Sequence, residues 1–446
     1  MLELIKFGIA LTLIYTSKHY SPLLAAVGLS IVGYVVCDFL IPRVGPHFIK
    51  IGRFGKDLSK PGRPIIPETV GAVPATVYIF IMFFNIPFLF YKYLVVMTSG
   101  GGHRDVSIEE TPGEIFFPHA KLSEYLSAVL CLQSTALLGI ADDLFDLRWR
   151  HKFFLPAVAA IPLLTVYYVD FGVTYVLIPD FAKNWLNITK SAVNLGPLYY
   201  GYMSSVAIFC PNSINILAGV NGLEVGQSIV LSLIFLINDT LYLLFGAEAS
   251  QDSHKLSAIL IIPFLGVSLA LWKWNRWPAK VFVGDTYCYF AGMIFSVVGI
   301  LGHFSKTALL FFIPQIFNFA YSCPQLFGLV PCPRHRLPRF NEMDGLMYPS
   351  RAEFSTKPPK SVMKPVFRVL EFFKLIHIEY DTKTGEMVNC TNMTLINLVL
   401  VWFGPMREDI LCNTILALQF AIGLTAIAAR HALGTLIFGH DNLNIL

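Results

Sequence analysis

Charge is scarce in this sequence: of its 446 residues only 14% are Asp, Glu, Lys or Arg, against roughly 25% in soluble domains. A chain this poor in charge, and 55% hydrophobic, cannot cover its apolar surface with polar side chains, so its solvent is lipid. Basic runs are missing too. The net charge of +4 is small and says little by itself, and no basic run of the kind that tracks a phosphate backbone is present, so no nucleic-acid partner is expected. The eight cysteines, at 37, 131, 210, 288, 323, 332, 390 and 412, include no C-x-x-C pair and mostly sit in apolar runs. They read as small buried hydrophobes, not as a zinc site or a disulfide framework.

What the chain does have is apolar runs close to the ~20 residues that cross a bilayer. They fall at 21–42, 70–91, 122–141, 154–171, 197–217, 226–246, 256–273, 286–303, 307–330 and 410–433, which predicts an all-α integral membrane protein of about ten transmembrane helices. Residues 21–330 form a nine-helix region, 331–409 a long polar stretch, and 410–446 the last helix with its tail. Residues 1–20 stand apart: Leu2 to Thr16 is apolar but short, and carries Glu3 and Lys6. An interfacial helix, an extension of the first span and an uncleaved signal-like segment all fit it.

Lys and Arg in the loops set the orientation. Arg43, Lys50, Arg53, Lys56, Lys60 and Arg63 fill the first loop, Arg148, Arg150 and Lys152 the third, and Lys273, Arg276 and Lys280 the seventh. The alternate loops are poorer in basic residues, so the first set, with 331–409, is expected in the cytosol. On that topology Asn187-Ile-Thr is a lumenal sequon open to glycosylation, while Asn389-Cys-Thr and Asn392-Met-Thr face the cytosol and are inert.

The polar residues gather on the cytosolic side in four clusters. In Ala141-Asp-Asp-Leu-Phe-Asp-Leu-Arg-Trp-Arg-His-Lys152, Asp142 and Asp146 share a helix face with Asp143 beside them. A carboxylate at mid-bilayer costs on the order of 3 kcal/mol, so three at a helix end call for a metal, a cation or water. A solvated helix end balanced by Arg148, Arg150 and Lys152 accounts for them equally well. The second cluster, Asn212 to Glu224, holds Asn212, Asn215, Gly219 and an Asn221-Gly222 turn. Amide oxygens suit a hard cation; a helix C-terminus followed by a turn explains Asn221 and Gly222, but Asn215, among apolar neighbours, less well. The third is Lys280-Val-Phe-Val-Gly-Asp285-Thr-Tyr, where Asp285 stands at a helix start and could be simply its N-cap. The fourth, Pro331-Cys-Pro-Arg-His-Arg-Leu-Pro-Arg339, holds cations in a stiff segment suited to phosphate or sugar oxygens, or to a lipid headgroup. Together they describe a cavity for a Mg²⁺-bound pyrophosphate.

These segments, with Gly302-His-Phe-Ser-Lys-Thr307 and the Gly-Gln pair ending at Gln227, resemble the polyprenyl-phosphate N-acetylhexosamine-1-phosphate transferases, and most closely their eukaryotic branch. The resemblance runs from about Leu40 to the last helix; residues 1–20 and 92–120 lie outside it. It implies a ten-helix membrane fold, with a small mixed α/β cytosolic insertion at 331–409 that completes the active site. It also implies transfer of GlcNAc-1-phosphate from UDP-GlcNAc to dolichyl phosphate at the endoplasmic reticulum, with Mg²⁺ as cofactor, tunicamycin as inhibitor and a homodimer. A different sugar or acceptor within the family is the main alternative. Position by position, Asp285 and Asn215 should ligate Mg²⁺, Arg334 and Lys152 contact the pyrophosphate, and His335 and Arg336 shape the sugar and phosphate pocket. The uridine should lie against Phe282 and Gly219, with Leu58 and Asn221 at the base edge and Glu68 near the ribose. Asp142 and Asp143 are the carboxylates tied to catalysis and to the acceptor phosphate, while the role of Asp146 is left open because this position varies in the family. A transporter is disfavoured, because the charges collect at one face and no internal repeat is present.

Overall fold

A computed structural model describes residues 2–18, 20–91, 117–178, 183, 192–333, 336–354, 358–383, 385–438 and 443. Each of the ten apolar stretches is helical in it. In chain order, α1 is Leu2–Ser17, α2 Pro22–Lys50, α3 Ala72–Leu89 and α4 His119–Phe145. They are followed by α5 Trp149–Lys152, α6 Leu155–Ala159, α7 Ile161–Asp170 and α8 Pro197–Ile216. Next come α9 Leu223–Phe245, α10 Glu248–Asn275, α11 Asp285–Leu301, α12 Ser305–Phe311 and α13 Ile313–Leu326, and α16 Glu408–Phe438 ends the bundle. Among the described residues, α2, α3, α4, α9, α10 and α16 are six helices long and apolar enough to cross a membrane.

Two predicted spans are broken. Stretch 154–171 divides into α6 and α7 at Ala160, and 307–330 into α12 and α13 at Phe312. Each second piece starts with a proline in its first turn, Pro162 and Pro314, which lacks the amide needed to continue the previous helix. The N-terminal stretch is a helix of its own: Ser21 caps α2, and α1 packs back along it with Ala10 fully buried.

Helix α11 is the hub. Every residue from Thr286 to Leu301 is buried, so this helix is apolar on all sides and surrounded by others, chiefly α4 and α8. Its start meets α4 at Gly139, where an added Cβ would stand 2.5 Å from the Thr286 Cα. Only glycine permits that approach, and it brings the end of α4 against the first turn of α11.

Residues 331–409 carry five of the strands described. A hairpin pairs β5 (Arg339–Asn341) with β6 (Leu346–Tyr348), and β7 (Arg351–Glu353), β9 (Met387–Thr391) and β8 (Ile378–Tyr380) form an antiparallel sheet in that order. Helices α14 (Met363–Phe372) and α15 (Leu395–Phe403) complete the segment. Two further short hairpins, β1 (Phe54–Lys56) with β2 (Ile65–Pro67) and β3 (Tyr175–Leu177) with β4 (Ala192–Asn194), lie earlier in the chain. The apolar faces of the 331–409 segment share a core with Leu217, Val220, Leu223, Leu411 and Ile415. The segment is thereby seated on the loop that follows α8.

Cys37, Cys131, Cys210, Cys288, Cys390 and Cys412 are buried, Cys323 is half-buried and Cys332 exposed, all as free thiols. Asn389 and Asn392 are buried and hydrogen-bonded, Asn389 to Arg351 and Glu379 and Asn392 to Ser350 and Gln325. Packing alone leaves no room for a glycan there. Asn187 lies outside the described residues.

Gly139→Val should force α4 and α11 apart, at a cost of roughly 1–3 kcal/mol. The expected outcome is a lower melting temperature in detergent together with lost activity; an unchanged melting temperature would contradict the close packing.

Candidate active site

A helix that begins inside a protein leaves its first amides without partners unless a side chain reaches them. Helix α11 begins after Gly284, which has φ +79° and no side chain to offer. Asp143, in the last turn of α4, takes the cap position instead. Its Oδ1 accepts the Asp285 N–H at 2.8 Å, and its Oδ2 accepts the Thr286 N–H at 3.1 Å and the Thr286 hydroxyl. A Cβ on residue 284 would stand 2.8 Å from that carboxylate, so both the φ and the contact require glycine.

Asp285 is therefore not the cap of its own helix. Its carboxylate turns sideways: Oδ2 accepts from the Lys152 ammonium at 2.9 Å and Oδ1 from the Asn215 amide at 2.9 Å. Lys152, brought in by the short α5, also lies 2.9 Å from Asp142 Oδ2. That oxygen is buried and has no aligned hydrogen bond, while the other Asp142 oxygen accepts the Leu147 N–H at 3.0 Å. Burial disfavours the Lys152 charge, but Asp285 and Asp142 outweigh it and raise its pKa above the ordinary lysine value. The ammonium is a fixed charge at physiological pH.

The two asparagines of the second cluster separate. Asn212 donates to the carbonyls of Ile208 and Phe153, tying α8 to the segment after Lys152. Asn215, half-buried at the last turn of α8, faces Asp285. Helix α4 ends at Phe145, and Asp146 adopts φ +51° beyond it, exposed.

Beside Asp285 opens a cavity of about 410 Å³, within the range of small-molecule sites. Seven of the residues singled out in the sequence line it: Leu58, Glu68, Asn215, Gly219, Asn221, Phe282 and Asp285. Lys152, Asp142 and Asp143 stand outside this lining, grouped around Asp285. Arg336 adjoins Leu337, which does line it, and one guanidinium nitrogen of Arg336 is buried without a hydrogen-bond partner. Arg334 and His335 lie outside the described residues.

Sequence reasoning missed Asp57, Glu224 and Asn275 on the cavity wall. Glu224 accepts the Gly219 N–H at 2.8 Å and so fixes the loop after α8. In the sequence it reads as an ordinary acid in a first helical turn, favoured there by the helix dipole, and nothing local distinguishes the two roles.

The donor set fits a hard cation. Asp285 offers carboxylate oxygens and Asn215, whose amide nitrogen donates to it, carries one amide oxygen, yet no group of three or more His, Cys, Asp or Glu among the described residues could hold a metal alone. In proteins generally, Mg²⁺ is held by one or two carboxylates, with phosphate oxygens and water completing its shell.

Asp143→Ala should remove the trans cap, lowering stability by about 0.5–2 kcal/mol, with Asp143→Asn intermediate because it keeps one acceptor. Thermal unfolding checks this, and equal melting temperatures for all three proteins would contradict the capping role.

The family described as Glycosyl transferase family 4 matches residues 125–303, the stretch that carries Asp142, Asp143, Lys152, Asn215 and Asp285. The chain is 70% identical to the UDP-N-acetylglucosamine–dolichyl-phosphate N-acetylglucosaminephosphotransferase of Saccharomyces cerevisiae, over 99% of each chain. It is 53% identical to the enzyme of that name in Schizosaccharomyces pombe, over 98% of this chain and 97% of the relative. With the Dictyostelium discoideum enzyme it shares 37% identity over 90% and 88%. This chain belongs to the family of UDP-N-acetylglucosamine–dolichyl-phosphate N-acetylglucosaminephosphotransferases.

Proposed function

We propose that this protein transfers GlcNAc-1-phosphate from UDP-GlcNAc to dolichyl phosphate, giving GlcNAc-diphospho-dolichol and UMP, the first step in assembling the lipid-linked oligosaccharide for N-glycosylation. The observation that carries this reading is Asp285, held between Lys152 and Asn215 at the edge of a nucleotide-sized cavity, in a chain alike from end to end to relatives bearing that name.

The protein is a multi-pass membrane protein in this reading, with ten spans in the endoplasmic reticulum membrane. The cavity lies at the bundle end that carries the basic loops with Arg53, Lys152 and Lys280, which supports a cytosolic active site. A polyprenyl tail cannot leave lipid, so its phosphate must be met at the membrane boundary, where α4 and α8 end.

The obstacle to reaction is repulsion between a phosphate nucleophile and a diphosphate electrophile. Asp285 and Asn215 would hold Mg²⁺ together with diphosphate oxygens, and the bound ion would supply charge neutralisation of the donor and of departing UMP. Lys152 adds a permanent positive charge at the same point, and Arg336, next in the chain to the cavity-lining Leu337, would supply a second cation. Asp143 acts through the α11 backbone, setting where Asp285 stands. Asp142 holds Lys152 in place. The acceptor oxygen attacks the β-phosphorus in line, the bond to the UMP oxygen breaks, and no covalent enzyme intermediate forms. Dolichyl phosphate, a monoester with a second pKa near 6, is mostly dianionic at neutral pH, so no strong general base is required. Phe282, Leu58 and Asn221 bound the base end of the cavity, and Glu68 its ribose side.

Purified protein given labelled UDP-GlcNAc, dolichyl phosphate and Mg²⁺ should release UMP, and tunicamycin should block it. Asp285→Ala should reduce the rate on the order of 10³-fold or more; a wild-type rate would sink the assignment. A phospho-GlcNAc adduct trapped on the protein in the absence of acceptor would overturn direct attack.

A further inference from the structure

Behind the cavity wall lies a buried charge cluster that the chemical step does not use. Glu408, the first residue of α16, is only 3% exposed, and a carboxylate cannot be buried so deeply without partners. One of its oxygens pairs with the Lys60 ammonium, which also lies 3.5 Å from Asp57 Oδ2. Its Oε1 accepts the backbone N–H of Asn221 at 2.8 Å. The Asn221 side chain extends the network, since its Oδ1 accepts the Ala279 N–H at 2.9 Å. Four segments remote in sequence meet at this point: 57–60, 219–222, 276–279 and the start of α16. Asp57, Leu58 and Ser59 line one wall of the cavity, and Gly219, Val220 and Asn221 another.

Amide chemistry gives this knot a consequence. A backbone N–H can be met only by the oxygen of an Asn side chain, so the bond from Ala279 fixes which way the Asn221 amide faces. The group left for a ligand is then its NH₂, which donates and cannot accept. A uracil edge offers carbonyl oxygens to such a donor, whereas cytosine presents an amino group in place of one of them.

We propose that Glu408, with Lys60 and Asp57, is a positioning residue that anchors the Asn221 backbone where its side chain meets Ala279, so that the Asn221 NH₂ is a fixed donor that sets the preference for a uracil over a cytosine nucleotide. The proposal rests on the nucleotide-sugar reading above. It gives the last helix, which contributes no ligand to the cation, a part in substrate choice.

The test is steady-state kinetics of the purified full chain with UDP-GlcNAc and CDP-GlcNAc in parallel. Glu408→Gln keeps an oxygen for Asn221 but loses the charge facing Lys60, and Lys60→Met removes the cation. In both, the ratio of kcat/KM for the uridine over the cytidine donor should fall roughly tenfold or more. The loss should lie mostly in a raised KM for UDP-GlcNAc, with kcat within about threefold. Lys60→Arg keeps the ion pair and should keep the wild-type ratio. The ratio does not depend on how much of a preparation is folded, so partial unfolding cannot imitate the effect. If either variant folds and retains the wild-type ratio, Glu408 is a structural brace only and the proposal is overturned, whatever the melting temperature does. If wild-type protein fails to use UDP-GlcNAc, the nucleotide-sugar reading falls and takes this inference with it.

Discussion

Helix α11 starts inside the bundle, where its first amides have no water to turn to, and Asp143 from α4 accepts two of them. The placement of Asp285 follows from that cap. Because a residue from another helix satisfies the amides, Asp285 is released from the role its position would otherwise impose. Its carboxylate is free to face Lys152 and Asn215. Gly139 and Gly284 are the backbone half of the same constraint, the first letting α4 approach and the second leaving room for the Asp143 carboxylate. A site built on helix ends in this way is positioned by rigid elements and not by loops, as catalysis by charge placement demands.

The other half of the cavity is held from the C-terminal side. The core shared by residues 331–415 and the loop after α8 fixes the wall that carries Gly219 and Asn221. Glu224 and Glu408 pin the backbone of that loop from two directions, through the N–H groups of Gly219 and Asn221. Asp57 and Lys60, and Asp142, Lys152 and Asp285, thus stand in pairs and networks around the cavity.

Much of this was legible in the sequence, and the remainder had physical reasons to be hidden. Hydropathy located stretches that are helical, and six of the described helices are long and apolar enough to cross a membrane, because a lipid-facing helix leaves a long apolar run. It could not show that Pro162 and Pro314 divide two of those stretches, since a proline inside an apolar run kinks some helices and ends others. Asp285 was ambiguous between cap and ligand because the deciding group, Asp143, lies 142 positions away in the chain. Asn212 and Asn215 share one short motif, and only the three-dimensional position of Phe153 tells the amide that braces a helix from the one that faces the site. Glu408 carried no local signal at all: its partners, Lys60 and Asn221, come from two remote loops.

Asp285 and Asn215 are proposed to form one half of a cation site, completed by the diphosphate of the nucleotide sugar. Electron paramagnetic resonance of Mn²⁺ titrated into the purified protein, with and without UDP-GlcNAc, reads that site directly without turnover. Bound Mn²⁺ should appear only when the nucleotide sugar is present, should be lost in Asp285→Asn, and should be weakened in Asn215→Ala. Mn²⁺ bound by Asp285→Asn as tightly as by the wild-type protein would contradict the account.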